Sequence, residues 1–204
     1  SVVFANMQIL QKNNGLKMQE EFLDNCPFVI LPATWDQYLE ELRPKDRHEL
    51  RRKLRRWEKQ GDTSWYLTHA LERLLADLEA FLSLHSGSKT EKERFMDESR
   101  REFFFHLGRK LFEEGWLYLS FLEKGGQKIA SYFCIDYNGT INVYNSGFDL
   151  KFSDLSPGVI CLALSMKDVI SKGRARFDFL RGEEPYKYRL GAKDRPILSV
   201  TIYR

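Results

Sequence analysis

Asn138-Gly139 stands between two long runs of strand-forming residues, QKIASYFCIDY and TINVYNSGF, and constrains the fold more than any other pair in the chain. Asn-Gly supplies the two positive φ angles of a type I′ turn, so the flanking runs pair as an antiparallel hairpin. The first run is apolar on both faces, which puts it inside a sheet rather than at its edge. WLYLSFLE precedes it across a turn at Lys124-Gly125-Gly126, and ARFDFL and ILSVTIY follow as further strands. Upstream the period changes to that of helices. Thr34 is a candidate N-cap for a helix carrying Trp35, Tyr38, Leu39 and Leu42 inward, and Pro44 ends it. A second helix faces inward through Leu50, Leu54 and Trp57 and stops at Gly61. A third carries the stripe Leu71, Leu74, Leu75, Leu78, Phe81 and Leu82. After a polar loop over 86–90, a fourth helix spans roughly 91–114, with Phe95, Phe103, Leu107 and Leu111 inward and Gly115 behind its last turn. SVVFANMQIL reads as a strand, QKNNG as a turn, and PFVIL and SWYLT as short strands. Helices first, then β-β-β-α-β-(α)-β, define an α/β chain with an α+β type of mixed sheet.

The stretch Asn145–Gly191 carries the chemistry. A helix entered through Ser156-Pro157-Gly158, just past the end of a strand, is suited to an anion. Ser156 is a good N-cap, Pro157 fits the first helical position, and Gly158 lets a ligand approach the backbone. The free N–H groups and the positive end of the helix dipole favour a phosphate. Lys151 adds charge nearby. With 204 residues, 43% of them apolar, the chain holds one domain, or one domain with a short extension. The net charge of +3 is too small to demand a nucleic-acid partner by itself. Cys26, Cys134 and Cys161 are scattered and odd in number, so neither a zinc site nor a disulfide framework is indicated, and a cytoplasmic setting is the default. No metal-ligand spacing, Ser-His-Asp arrangement or bilayer-length apolar run is legible.

The order of elements, together with LPATWDQYLEEL, RRKLRRWEKQG, KIASYF, SGFDLKFSDLSPG and FDFLRGEEPYKYRLG, resembles the GNAT acyltransferase superfamily. Within it, the chain is similar to the CelD-like and FemAB-like acetyltransferase branch over about residues 27–191. The resemblance implies a mixed, mainly antiparallel sheet in which two neighbouring parallel strands, here 140–148 and 175–180, splay apart. The acyl donor lies in the opening, with its pyrophosphate at Ser156, Pro157 and Gly158. Members of this branch commonly carry another GNAT-like half upstream. Residues 1–26 are then a connecting segment or the remnant of such a half, and residues 27–204 the GNAT-like domain.

The implied reaction moves an acyl group, with acetyl-CoA or another acyl-CoA as donor and no metal, to an amine or hydroxyl of a small polar or sugar acceptor, in polysaccharide biosynthesis. Asp178, between two Phe residues, is either a general base or a structural carboxylate paired with an Arg such as Arg181. Glu183 and Glu184 precede Pro185. Glu183 reads as a dipole-favoured helix-start residue, and Glu184 on resemblance as a proton acceptor or amine ligand. Tyr186 is a candidate acid for the leaving thiolate or a half-buried packing residue; Lys187 is a ligand for phosphate or carboxylate, or a solvated side chain. Tyr144 and His85 are candidate acceptor-binding residues, with packing roles as the alternative; Asp149 reads as a turn residue and His106 as structural.

The basic run from Arg43 to Lys59 is a solvated helix face or a dock for a polyanion. FemAB-type relatives use aminoacyl-tRNA as donor, which makes tRNA the partner under that alternative. A third reading is a catalytically inactive GNAT-like interaction domain, supported by the single glycine of SDLSPG.

Overall fold

The computed structural model describes residues 2–87 and 97–204. Helix α1 (Val2–Asn14) leads into strands β1 (Lys17–Asn25) and β2 (Phe28–Ile30). Helices α2 (Trp35–Glu41) and α3 (Pro44–Glu58) precede β3 (Thr63–Leu67), and α4 (Leu71–Gly87) and α5 (Glu98–Glu113) precede β4 (Leu117–Lys124). Then come β5 (Gln127–Tyr137), β6 (Thr140–Phe148), a short 3₁₀ helix (Leu150–Leu155), α6 (Pro157–Ser171), β7 (Arg176–Asp178), α7 (Pro185–Arg189) and β8 (Pro196–Tyr203).

The hairpin is the one the Asn-Gly pair dictates. Asn138 and Gly139 have φ of 48° and 71°, and β5 and β6 pair antiparallel on either side of them. The main sheet has the order β2-β7-β6-β5-β4-β3, so β5 is interior. Among the described residues only β6 and β7 are parallel neighbours. They pair from Thr140↔Arg176 to Asn142↔Asp178, after which β7 ends while β6 runs on to Phe148. An opening therefore flanks the second half of β6, and α6 bridges the two strands across it. Leu180, forced to φ +55°, turns the chain away and limits the run ARFDFL to three strand residues.

Side chains on one face of the sheet pack with α2, α3, α6 and α7, through Tyr118, Tyr132, Cys134 and Phe177. The other face packs with α4 and α5 through Leu119, Phe121 and Phe133. Thr34 caps α2 with a capping box, its Oγ1 accepting from the Gln37 N–H while the Gln37 side chain accepts from the Thr34 N–H, both at 3.2 Å. The helices differ from the sequence pattern in rotation. On α4, Leu71 and Leu75 are 64% and 57% exposed, and Asp77 points inward to Thr68, Tyr66 and Lys128. On α5 it is Phe104, not Phe103, that is buried, because Gly108 must face α4. A Cβ at Gly108 would lie 2.6 Å from Leu78 Cδ2. Phe95, residues 88–90 of the expected loop and the start of the expected helix lie outside the described residues.

Two terminal segments depart from the expectation. Residues of SVVFANMQIL form α1 instead of a strand, satisfying their backbone groups internally, with Ile9 and Leu10 exposed. ILSVTIY becomes β8, but it pairs antiparallel with β1 in a separate two-stranded ribbon outside the main sheet.

Gly147 seats the end of α4 against β6: a Cβ there would meet the backbone of Leu84 and His85 at 2.3 Å. A Cβ at Gly158 meets Phe148 at 3.6 Å and the Tyr132 hydroxyl at 3.9 Å, both ordinary contacts. Gly147→Ala is therefore expected to destabilise the fold by about 3 kcal/mol. Gly158→Ala should leave stability within about 0.5 kcal/mol or raise it slightly. Urea denaturation of the two variants checks the contrast.

Candidate active site

The first turn of α6 faces the opening beside β6. Ser156 sits in the left-handed region (φ 58°, ψ 50°), closing the 3₁₀ helix and starting α6. In that conformation its side chain makes no cap bond, contrary to the N-cap expectation. Its Oγ instead accepts from Lys53 Nζ at 2.6 Å. Pro157 is buried at the first helical position, and the first intrahelical bond runs from Ile160 N–H to Ser156 O. The N–H groups of Gly158 and Val159 lie ahead of it and are left for another acceptor. Helix α3 brings two cations to this point. Lys53 also lies 3.4 Å from Glu49, and Arg56 donates to the Asp154 carbonyl and carboxylate. Lys151 is exposed on the 3₁₀ helix, where Asp149 accepts its backbone N–H.

A pocket of ≈ 100 Å³ lies between α3, this first turn and α7; Lys53, Val159, Tyr186, Asp46, Glu49 and Arg189 contribute to its wall. The Arg52 guanidinium, with Lys53, holds the Glu49 carboxyl down at about 2, so Glu49 is a fixed negative charge and a poor base. Tyr186 packs edge-on against Phe179, and burial pushes its phenol above the ordinary range. It stays protonated at neutral pH and has a proton to give. Tyr132 completes the group. It is buried on β5, opposite Ser146 on β6, and its hydroxyl lies 3.9 Å from where a Gly158 Cβ would stand.

The remaining expected residues are placed differently. Asp178 is 2% exposed, and both its oxygens are engaged, Oδ1 by the Leu180 N–H at 2.9 Å and Oδ2 by Arg195 at 2.7 Å. Its ion-pair partner is thus Arg195 and not Arg181, which pairs with Asp24. Lys187 is buried rather than solvated. Its ammonium donates to the carbonyls of Phe179, Arg181 and Gly182 and pairs with Glu184, fixing the turn after β7. That leaves it committed to the chain's own groups. Glu184 starts α7 without capping it, and its side chain is 53% exposed. His85 is buried, with Nδ1 2.9 Å from the Ser146 carbonyl, and Tyr144 rests beside Phe104 and Phe133. Both lie on the α4–α5 face of the sheet, opposite the pocket. His106 is exposed, its Nδ1 2.8 Å from the Glu102 carbonyl.

Lys53, Asp46, Glu49 and Arg189 enter the pocket wall without having stood out in the sequence. Lys53 was legible only as one cation of a basic run. Tyr132 has no sequence signal beyond that of a core residue.

A mixed sheet whose single parallel pair opens and is bridged by a helix with free N-terminal donors defines an acyltransferase frame. The chain belongs to the acetyltransferase (GNAT) domain family, whose pattern matches residues 44–188. Solved structures share the fold at low identity. FemX superposes with a TM-score of 0.65 at 12% identity, over 97% of this chain and 68% of its own. L-PGS from Bacillus licheniformis gives 0.61 at 13%, over 98% and 65%. The C-terminal domain of a protein from Agrobacterium fabrum, assigned as a lysylphosphatidylglycerol synthetase, gives 0.63 at 10%, over 91% and 61%. The chain therefore spans roughly two thirds of the length of these structures. No curated protein matches it in sequence. Among the described residues no cluster of His, Cys, Asp and Glu is placed to hold a metal ion, and no helix is long and apolar enough to cross a membrane.

Removing the Lys187 ammonium leaves three loop carbonyls without their donor. Lys187→Met is expected to cost about 2–3 kcal/mol, read by chemical denaturation. A loss below about 0.5 kcal/mol would show that water replaces the ammonium without penalty.

Proposed function

We propose that the chain transfers an acetyl or other acyl group from its coenzyme A thioester to an amine or hydroxyl of a small polar or sugar acceptor. The CelD-like resemblance favours a role in polysaccharide biosynthesis. One observation carries the reading: the free N–H groups of Gly158 and Val159 lie beside Lys53, at the mouth of the opening between β6 and β7. That combination of helix N-terminus and cation suits a pyrophosphate. Arg56 and Lys151 stand near enough in the chain to add to the field.

With the anionic part held there, the acyl end reaches toward the pocket that Tyr186 lines. The acceptor nitrogen or oxygen attacks the thioester carbon. The new C–N or C–O bond forms, the C–S bond breaks, the acceptor loses its proton and the thiolate gains one. Tyr186, kept neutral by burial, gives the proton to the thiolate. Glu184, 53% exposed at the start of α7 and ion-paired with Lys187, takes the acceptor's proton. Asp178 is enclosed by Arg195 and the Leu180 N–H and acts by fixing the turn that carries Glu184 and Tyr186.

The test is calorimetric titration with acetyl-CoA and with CoA. Wild-type protein is expected to bind both in the micromolar range, and Gly158→Glu, which sets a carboxylate over the anion site, to bind neither. Tyr186→Phe should keep donor affinity while kcat falls about 100-fold. A folded wild-type chain that ignores both ligands would sink the acyl-CoA reading.

A second reading, an aminoacyl-tRNA donor, is favoured by α3. Among the described residues its exposed Arg51 and Arg55 make no ion pair, on the same helix that sends Lys53 to Ser156. The FemX and L-PGS folds and the FemAB-like resemblance agree with it. It predicts retention of tRNA that weakens with salt, and in Arg51→Glu/Arg55→Glu a salt slope shallower by about 1 for each phosphate that the helix no longer neutralises. Filter binding across a salt series measures that slope; an unchanged slope removes α3 from tRNA binding.

A further inference from the structure

Tyr132 stands out among the buried polar side chains because it sits at the one place where the sheet has come apart. It projects from β5 on the α6 side and is 4% exposed. Its cross-strand neighbour is Ser146, in the part of β6 that has lost β7 as a partner. Cross-strand neighbours share a face, so the Ser146 side chain stands on the same side of the sheet as the phenol. The Tyr132 hydroxyl lies against the first turn of α6, 3.9 Å from where a Gly158 Cβ would stand. Tyr132, with Ser146 opposite it, thus stands beside the first turn of α6, and Tyr186 shares a pocket wall with Val159 of that turn. None of them is charged at neutral pH.

Such a group has a specific chemical use. Neutral O–H donors in a site screened from water stabilise an oxygen that gains negative charge during a reaction more than they stabilise its neutral ground state.

We propose that Tyr132, held in place by Ser146, donates a hydrogen bond to the carbonyl oxygen of the acyl donor as that oxygen becomes an oxyanion. The inference rests on the acyl-CoA reading above and adds a catalytic residue to it. In the addition step the acceptor's lone pair forms a bond to the carbonyl carbon, and the C=O π pair moves onto oxygen, where the Tyr132 O–H meets it. In the collapse step that pair re-forms C=O, the C–S bond breaks, and the thiolate takes its proton from Tyr186. Tyr132 keeps its own proton throughout.

Tyr132→Phe keeps the ring in the core and deletes only the donor. Donor affinity is read by titration with acetyl-CoA. Turnover is read as free thiol released from acetyl-CoA with hydroxylamine as a small acceptor, after subtraction of the uncatalysed rate. The expected result is an unchanged acetyl-CoA affinity and KM with kcat lower by about 100-fold. Ser146→Ala, which loosens the phenol without removing it, should lower kcat by a smaller factor.

Turnover in Tyr132→Phe equal to wild type overturns the inference and leaves the acyl-CoA reading standing. Equal loss of affinity and turnover, with Ser146→Ala unaffected, also overturns it and assigns Tyr132 to packing. A folded wild-type chain that fails to bind acetyl-CoA or to release thiol overturns the acyl-CoA reading and this inference with it.

Discussion

The brevity of the parallel pairing between β6 and β7 is the constraint on which the site depends. Three residue pairs join them, and then β7 stops while β6 continues for six more residues. Leu180 is held in the left-handed region by the Asp178 carboxylate on its N–H, and Lys187 gathers the carbonyls that the turn leaves behind. Buried polar groups used in this way make the turn a single well-defined structure rather than a loose exit from the sheet. The result is that β6 beyond Asn142 has no β7 partner, and the first turn of α6 lies beside its end at Phe148.

Opposite faces of the sheet then take different duties. The α4–α5 face is a packing face. Gly147 admits the end of α4 to within backbone contact of β6, His85 Nδ1–H donates to the Ser146 carbonyl, and Phe104 and Phe133 fill the space beneath Tyr144. These contacts fix the position of the free segment of β6 from behind. The α6 face collects the polar groups: Lys53 and Glu49 from α3, Ser156 and Gly158 from α6, Tyr186 from α7, and Tyr132 from within the sheet. His85 and Tyr144, attractive in the sequence, lie on the α4–α5 face, across the sheet from the pocket.

The local readings that held were those carried by short-range stereochemistry. Asn138-Gly139 specified its turn, Thr34 its N-cap, Pro44 the break after α2, and Pro157 the first position of α6. The readings that shifted depended on neighbours far away in the chain. Ser156 looks like an N-cap from its own sequence, yet the preceding 3₁₀ helix delivers it in a left-handed conformation and Lys53, 103 residues away, occupies its hydroxyl. The rotation of α5 is set by Gly108 against Leu78, which no periodicity within the helix reveals. The ribbon of β1 and β8 joins the two ends of the chain, a pairing that neither strand announces.

The sequence by itself determined the order of elements from residue 27 onward, the central hairpin and membership of the acetyltransferase (GNAT) domain family. These follow from turn residues, period and motif order, all local properties of a chain. The tertiary structure decided which polar side chains meet. It enclosed Asp178 with Arg195, spent Lys187 on loop carbonyls, placed His85 behind the sheet and brought Tyr132 to Gly158. The physical reason is that a side chain's role depends on burial and on partners of high sequence separation. Strand order and helix rotation set those partners, and the packing of the whole core sets both.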